Sequence, residues 1–215
     1  ALWMAPDGSA LLLATGKKSG HLVAYDGDTG AALGARGSRG TGPGQFDRPN
    51  GIFVHDDLVF VVERDNHRVQ VLRLPGMQSL GSFGDADLQK PYGLWLRPTG
   101  ANRFDVLVSD AYMAGEDARG DEIPPPLAEL GARFKRYAVS VDGDRVTATL
   151  AGTVGDTTAA GAIRVPESLW GDAAHDRLLI AEEDLATGTA VREYGMDGRF
   201  RGRTLGLGMF KAQAE

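Results

Sequence analysis

Short apolar runs alternate along the whole chain with breaks rich in glycine, proline and aspartate. The first set reads Leu2-Trp3-Met4, Leu11-Leu12-Leu13-Ala14, His21-Leu22-Val23-Ala24-Tyr25 and Ala31-Ala32-Leu33, broken at Pro6-Asp7-Gly8, Lys17-Lys18 and Asp26-Gly27-Asp28-Thr29-Gly30. Each run has strand length, and each break carries residues that favour tight turns. A glycine-rich connector, Gly37 to Gly44, leads to Phe46-Asp47-Arg48-Pro49-Asn50-Gly51 and a second set at Ile52-Phe53-Val54, Leu58 to Val62, Val69 to Leu72 and Ser79 to Phe83. A third opens at Lys90-Pro91-Tyr92-Gly93 and runs through Leu94 to Leu96, Asp105 to Val108, Phe134 to Val139 and Val146 to Leu150. The fourth opens at Val165-Pro166-Glu167 and continues through Leu178 to Ile180, Val191 to Tyr194 and Phe200 to Gly202.

Four strands per set, repeating every ~40 to 50 residues, predict an all-β fold, a β-propeller of four-stranded antiparallel blades. Four blades are expected, with Met209-Phe210-Lys211 opening a fifth. Both ends stop in mid-pattern, so the expectation is a single propeller domain over residues 1–215, cut at both ends from a larger ring. The acid- and proline-rich stretch 113–131 is expected to be a loop inserted in the third blade.

The formal charge of −6 and pI near 5.3 argue against nucleic acid or an anionic membrane as partner, since both need a basic face. The absence of cysteine excludes disulfides and thiolate zinc sites. No apolar run reaches the ~18 residues of a membrane span.

Candidate chemistry gathers where strands end. Leu178-Leu179-Ile180-Ala181-Glu182-Glu183-Asp184 is an apolar strand closing in three carboxylates, which repel one another unless a base, water or cation neutralises them. Reflection about the preceding turn sets Glu167 across from Glu183; the same operation sets Asn50 across from Arg64 and Tyr92 across from Asp110. First strands line a propeller's channel, so these corners are expected to ring one mouth. Lys17 and Lys18, Arg64, Tyr92 and Asp110, Glu167 with Glu182 and Glu183, and finally Gln213 and Glu215 would follow one another around it. Plainer roles also fit: Lys17-Lys18 as solvated turn residues, Arg64 paired with its acidic neighbours, Tyr92 as a core ring with a wet hydroxyl. The histidines are scattered, and no Gly-x-Ser-x-Gly nucleophile elbow is present.

On several of these residues the chain resembles the β-propeller phytases, calcium-dependent six-bladed phosphatases. Ala1-Leu2-Trp3 and Thr15-Gly16-Lys17-Lys18-Ser19-Gly20 are similar to that family's Asp-Asp-Pro-Ala-x-Trp and Asn-Lys-Lys-Ser-Gly segments. Pro91-Tyr92-Gly93, Phe134-Lys135-Arg136-Tyr137, and Glu167 followed by Ile180-Ala181-Glu182-Glu183-Asp184 fall in the family's order. Phe46-Asp47-Arg48-Pro49-Asn50-Gly51 is generic to NHL-type propellers. The resemblance implies six blades in the full protein, and calcium (Ca2+) ligands at Glu167, Glu183 and Glu215 with Tyr92 and Gln213 beside them. It implies phosphate-holding cations at Lys17 and Arg64, and catalysis by Glu183, Tyr92, Lys17 and Arg64. Hydrolysis of phytate by a metal-activated water, in a secreted or periplasmic monomer, would follow. Gln213 stands where the family has an aspartate, and the family's third-blade lysine is missing near Ala111-Tyr112. Two other expectations therefore stand: an NHL-like propeller that only binds a ligand or protein at its mouth, and a six-bladed lactonase or esterase.

Overall fold

The computed structural model describes residues 1–183 and 188–210. The first blade is β1 (Leu2–Met4), β2 (Ala10–Gly16), β3 (His21–Asp26) and β4 (Ala32–Arg36). A short parallel pair, β5 (Ser38–Arg39) and β6 (Gln45–Phe46), ties off the glycine-rich connector. The second blade is β7 (Pro49–His55), β8 (Leu58–Glu63), β9 (Arg68–Arg73) and β10 (Gln78–Phe83). The third starts with β11 (Pro91–Gly100) and β12 (Arg103–Asp110), then breaks for a small hairpin, β13 (Gly115–Glu116) and β14 (Glu122–Ile123), and a 3-10 helix at Leu127–Ala132. It resumes with β15 (Phe134–Asp142) and β16 (Arg145–Val154). β17 (Pro166–Asp172), β18 (Arg177–Glu182), β19 (Ala190–Tyr194) and β20 (Phe200–Leu205) complete the fourth. Each blade is a four-stranded antiparallel meander, so the expected β-propeller architecture is what the chain forms. The expected opening of a fifth blade, Met209-Phe210-Lys211, runs beyond Phe210, the last described residue.

The core lies between blades because successive side chains on a strand point to opposite faces. In β8, Val59 and Val61 pack toward Leu13, Leu22 and Ala24 of the first blade, while Leu58, Phe60 and Val62 pack toward Phe104, Val106 and Val108 of the third. A third wedge joins Trp95, Leu107 and Phe134 to Leu169, Leu178, Ile180 and Tyr194 of the fourth blade. The first strands are innermost: β7 packs between β2 and β11, and β11 between β7 and β17. That closeness demands glycine. A Cβ on Gly51 would sit 2.8 Å from the Tyr92 carbonyl oxygen, and one on Gly93 would sit 2.8 Å from that of Glu167.

A buried carboxylate closes the second strand of three blades. Glu63, Asp110 and Glu182 pair in register with Pro49, Pro91 and Pro166, the first residues of their inner strands. Each accepts from the backbone entering that proline: Glu63 from Asp47 N at 3.2 Å, Asp110 from Lys90 N at 2.7 Å, Glu182 from Arg164 N at 2.8 Å. A cation from the third strand faces each one, Arg68 at 2.7 Å, Lys135 at 3.8 Å and Arg192 at 2.6 Å. All three side chains are buried. Proline has no N–H to donate, so the acid binds the preceding amides instead.

Removing one partner of such a knot leaves the other charged and buried. Glu63→Leu is expected to cost about 3–5 kcal/mol in urea unfolding, since Arg68, Asn66 and Gln70 all bond to Glu63. Arg39→Gln, on the exposed Arg39–Asp47 pair, is expected to cost less than about 1 kcal/mol. Equal costs would show that the knot is no more than a surface ion pair.

Candidate functional site

Each knot fixes the residue that follows it. Past Glu63, Asp110 and Glu182 come Arg64, Ala111 and Glu183, and at the matching place in the first blade Lys17 follows Gly16, the last residue of β2. On the inner strands the residues after the three prolines are Asn50, Tyr92 and Glu167. Lys17, Arg64, Tyr92, Glu167 and Glu183 line one cavity of about 200 Å³, together with Arg48, Ala111, Met113, Glu122 and Val165. Five of the eight rim residues expected from the sequence within the described part of the chain thus meet at one mouth; Lys18, Asp110 and Glu182 do not line it. Gln213 and Glu215 lie outside the described residues.

Two expectations need correcting. Asp110 and Glu182 do not point into the mouth; they are the buried knots, each committed to backbone amides and a cation. The register also differs: Arg64, Asp110 and Glu183 do not stand opposite Asn50, Tyr92 and Glu167. The pairs are Pro49–Glu63, Pro91–Asp110 and Pro166–Glu182, and in all three hairpins a bulge follows on the inner strand. A bulge sets two residues against one and re-aims the side chains beside it. Glu167 and Glu183 nonetheless interact through their side chains.

Ser109 holds the inner strands at this level. Its buried hydroxyl donates to the Glu167 carbonyl at 2.8 Å and accepts from Gly93 N at 2.8 Å. The cation Lys17 reaches across from the first blade to the Tyr92 hydroxyl, and its ammonium lies 4.3 Å from that ring's centroid.

Burial pushes the Glu167 carboxyl up to about 8, and the Glu183 carboxylate pushes in the same direction; a hydrogen bond from Tyr92 and the charge of Lys17 pull the other way without winning. Glu167 is 3% exposed, and its Oε2 has no hydrogen-bond partner. Such a pair, with one oxygen unspent, is satisfied by a shared proton or a cation. Among the described residues, no group of three or more histidine, aspartate or glutamate side chains could hold a metal ion. At the mouth the Glu167–Glu183 pair and the Tyr92 phenol are oxygen donors, while the Glu122 carboxylate is committed to Arg64 and Lys90.

Two polar residues at the mouth, Arg48 and Glu122, were not foreseen, whereas Asn50 was expected at this corner. Arg48 precedes Pro49 as Lys90 precedes Pro91, and the shared basic residue before proline is a signal the sequence carries. Asn50 is buried in an adjoining cavity with Thr15, Lys17, Gly51, Tyr92 and Ser168, and neither amide atom has a partner. Glu122, on β14 of the inserted hairpin, bonds Arg64 at 2.8 Å and also bonds Lys90. Nothing in the local sequence points Glu122 to a site 58 residues away.

Blades, inner strands and a polar channel mouth define this chain as a propeller-class protein. No protein-family model matches it, and no curated protein matches its sequence. Solved structures do match in fold. The hydrazine synthase of Kuenenia stuttgartiensis is similar over 95% of this chain and 48% of its own, at 12% identity and a TM-score of 0.52. A Bacteroides caccae protein of unknown function is similar over 99% and 68%, at 15% identity and a TM-score of 0.52. A Bacteroides uniformis ATCC 8492 protein, named as a putative 6-phosphogluconolactonase, is similar over 100% and 55%, at 15% identity and a TM-score of 0.53. The chain thus spans about half the length of two of these three structures. The likeness is one of fold.

Glu167 makes metal-free stability depend on pH. Its folded pKa, about 8, lies above the ordinary value of 4.5, so its contribution is complete below pH ~4.5 and is lost as pH rises through 8. In chelator, thermal melts are expected to drop across that window, and Glu167→Gln is expected to flatten the drop. Identical pH profiles for the two proteins would show that Glu167 is not held protonated.

Proposed function

We propose that the channel mouth is the site of a calcium-dependent phosphomonoesterase acting on phytate. The observation that carries this reading is the opposition, across one cavity, of the Glu167–Glu183 pair and the cations Lys17 and Arg64. Carboxylates alone would repel a phosphorylated substrate, and cations alone would only bind it; a metal-assisted phosphoryl site needs both.

The donors suit a hard cation. Calcium prefers six to eight oxygen ligands, and clustered carboxylates are its usual protein partners. The unpartnered Oε2 of Glu167 and the upward shift of its carboxyl are features that such a cation would relieve. Glu167, Glu183 and Tyr92 would hold it, with Gln213 and Glu215 as further candidates and water completing the shell. When bound, calcium supplies Lewis acidity and offsets the substrate's negative charge.

The chain's own groups divide the remaining work. Lys17 and Arg64 grip phosphoryl oxygens, Arg64 through two parallel N–H bonds once the Glu122 carboxylate bonded to it gives way. Tyr92, against Lys17, keeps that ammonium at the rim. Glu183, beside Glu167 on the cavity wall, is placed to take a proton from an attacking water. No covalent intermediate is required.

A second reading, hydrolysis of a phosphorylated sugar lactone, draws on the fold likeness to the protein named as a putative 6-phosphogluconolactonase. Both readings place a phosphoryl group on Lys17 and Arg64. They differ in the bond broken.

The test uses the full-length protein with calcium phytate and, separately, 6-phosphogluconolactone. Release of phosphate from phytate, stopped by EDTA and restored by calcium, is the expected result. Arg64→Ala is expected to lower kcat/KM about 10- to 100-fold, the worth of one charge-assisted hydrogen bond. Lactone opening without phosphate release would move the assignment to the second reading, and phosphate release indifferent to EDTA would exclude calcium from the reaction.

A further inference from the structure

The inserted hairpin β13–β14 is not a remote surface loop. Its Glu122 carboxylate reaches the mouth, where one oxygen, Oε1, bonds both Arg64, at 2.8 Å, and Lys90. The Arg64 side chain is only 14% exposed. The hairpin also has a fixed base: buried Arg133, just after the 3-10 helix, donates to the carbonyls of Asp110, Tyr112, Ile163 and Arg164, and its guanidinium lies 4.2 Å from the Tyr112 ring centroid. Asp117 closes the hairpin turn by accepting from Arg119 N and Asp121 N. Glu122 is therefore presented to Arg64 by an ordered element.

We infer that Glu122 is a built-in competitor for the anion subsite at Arg64, so that a ligand enters only by exchanging its own negative charge for this carboxylate. The inference rests on the mouth being an anion site. A carboxylate carries one negative charge, whereas a phosphoryl group near neutral pH carries ≈ −1.5 to −2 and three acceptor oxygens. A doubly charged phosphoryl group can displace Glu122 from both Arg64 and Lys90 and then engage each of them. A monoanionic carboxylate gains nothing over the group it replaces. Glu122 thus sets selectivity by charge, lowering affinity for every anion but least for the most highly charged. Although partial burial opposes it, the Lys90 bond and the Arg64 charge hold the Glu122 carboxyl below its ordinary range, so the competitor is ionised at neutral pH.

A structural staple would show the same contacts, and the two roles predict opposite shifts in binding. Calorimetric titration of the full-length protein with phytate, with inorganic phosphate and with acetate is compared for the unaltered protein, Glu122→Gln, Glu122→Ala, Arg64→Gln and the double variant Arg64→Gln/Glu122→Gln. Relief of competition predicts phosphate binding about fivefold tighter in both Glu122 variants, the scale of one ion pair, with the preference for phosphate over acetate reduced. The gain should vanish in the Arg64→Gln background. Thermal melts identify any variant that fails to fold, and the second Glu122 substitution then decides. Unchanged or weaker phosphate binding in a folded Glu122 variant overturns the inference. If Arg64→Gln leaves phytate binding intact, the reading of the mouth fails, and this inference fails with it.

Discussion

The buried carboxylate at the exit of the second strand in the second, third and fourth blades is the constraint on which the rest of this structure depends. It binds the amides leading into the innermost strand, draws a cation from the third strand, and so locks three strands of one blade at one height. Because the knot is buried, the chain has one way to leave it. The next residue emerges at the rim, and the residue after the proline emerges beside it. Function can then be written into those two positions at little cost to the fold, which is why Arg64, Ala111 and Glu183 can differ so much in chemistry while occupying equivalent places.

The knots are also costly if incomplete. Desolvation raises the Asp110 carboxyl above its ordinary value even with two backbone amides and two cations pulling it down. Burial likewise holds Arg133 to about 10, although it sits among carbonyl oxygens and an aromatic face. Such groups persist because several hydrogen bonds converge on each: four carbonyls accept from Arg133, and the Asp110 carboxylate accepts from the amides of Gln89 and Lys90. Glu167 and its neighbour Asn50 depart from this pattern: both are buried with polar atoms unspent, and Glu167 also faces a second carboxylate. Polar groups left unsatisfied beside a satisfied frame mark a place built for something else.

Much of this was legible in the sequence. Period-two apolar runs broken by Asp-Gly and Pro-Asp-Gly turns give the blades, and the recurrence of a proline before a polar residue, at Pro49-Asn50, Pro91-Tyr92 and Pro166-Glu167, gives the rim. What failed was one level finer. Reflection about a turn assumes its centre and a regular ladder. His55–Leu58 and Asp172–Arg177 already pair one residue off the reflected register, and the bulge after each proline shifts it again. Rim and knot residues are therefore not told apart, and Asp110 and Glu182 are counted with the rim. The role of Glu122 was invisible for another reason: the insertion has no counterpart in the other blades, and its position follows from long-range anchoring by Arg133. Among the described residues, Leu2, Met4 and Leu12 on the first blade and Leu205 on the fourth are exposed apolar side chains on blades packed against one neighbour.

We propose that Glu167 and Glu183 form one unit whose shared charge is satisfied by a proton or by a divalent cation. Calcium titration at pH 7 in buffers of differing ionisation enthalpy tests it directly, because a carboxyl held at about 8 must lose its proton before it can bind the ion. The predicted result is close to one proton released per calcium bound, abolished together with binding in Glu167→Gln and in Glu183→Gln. Calcium binding that releases no proton, or that survives both substitutions, would contradict it.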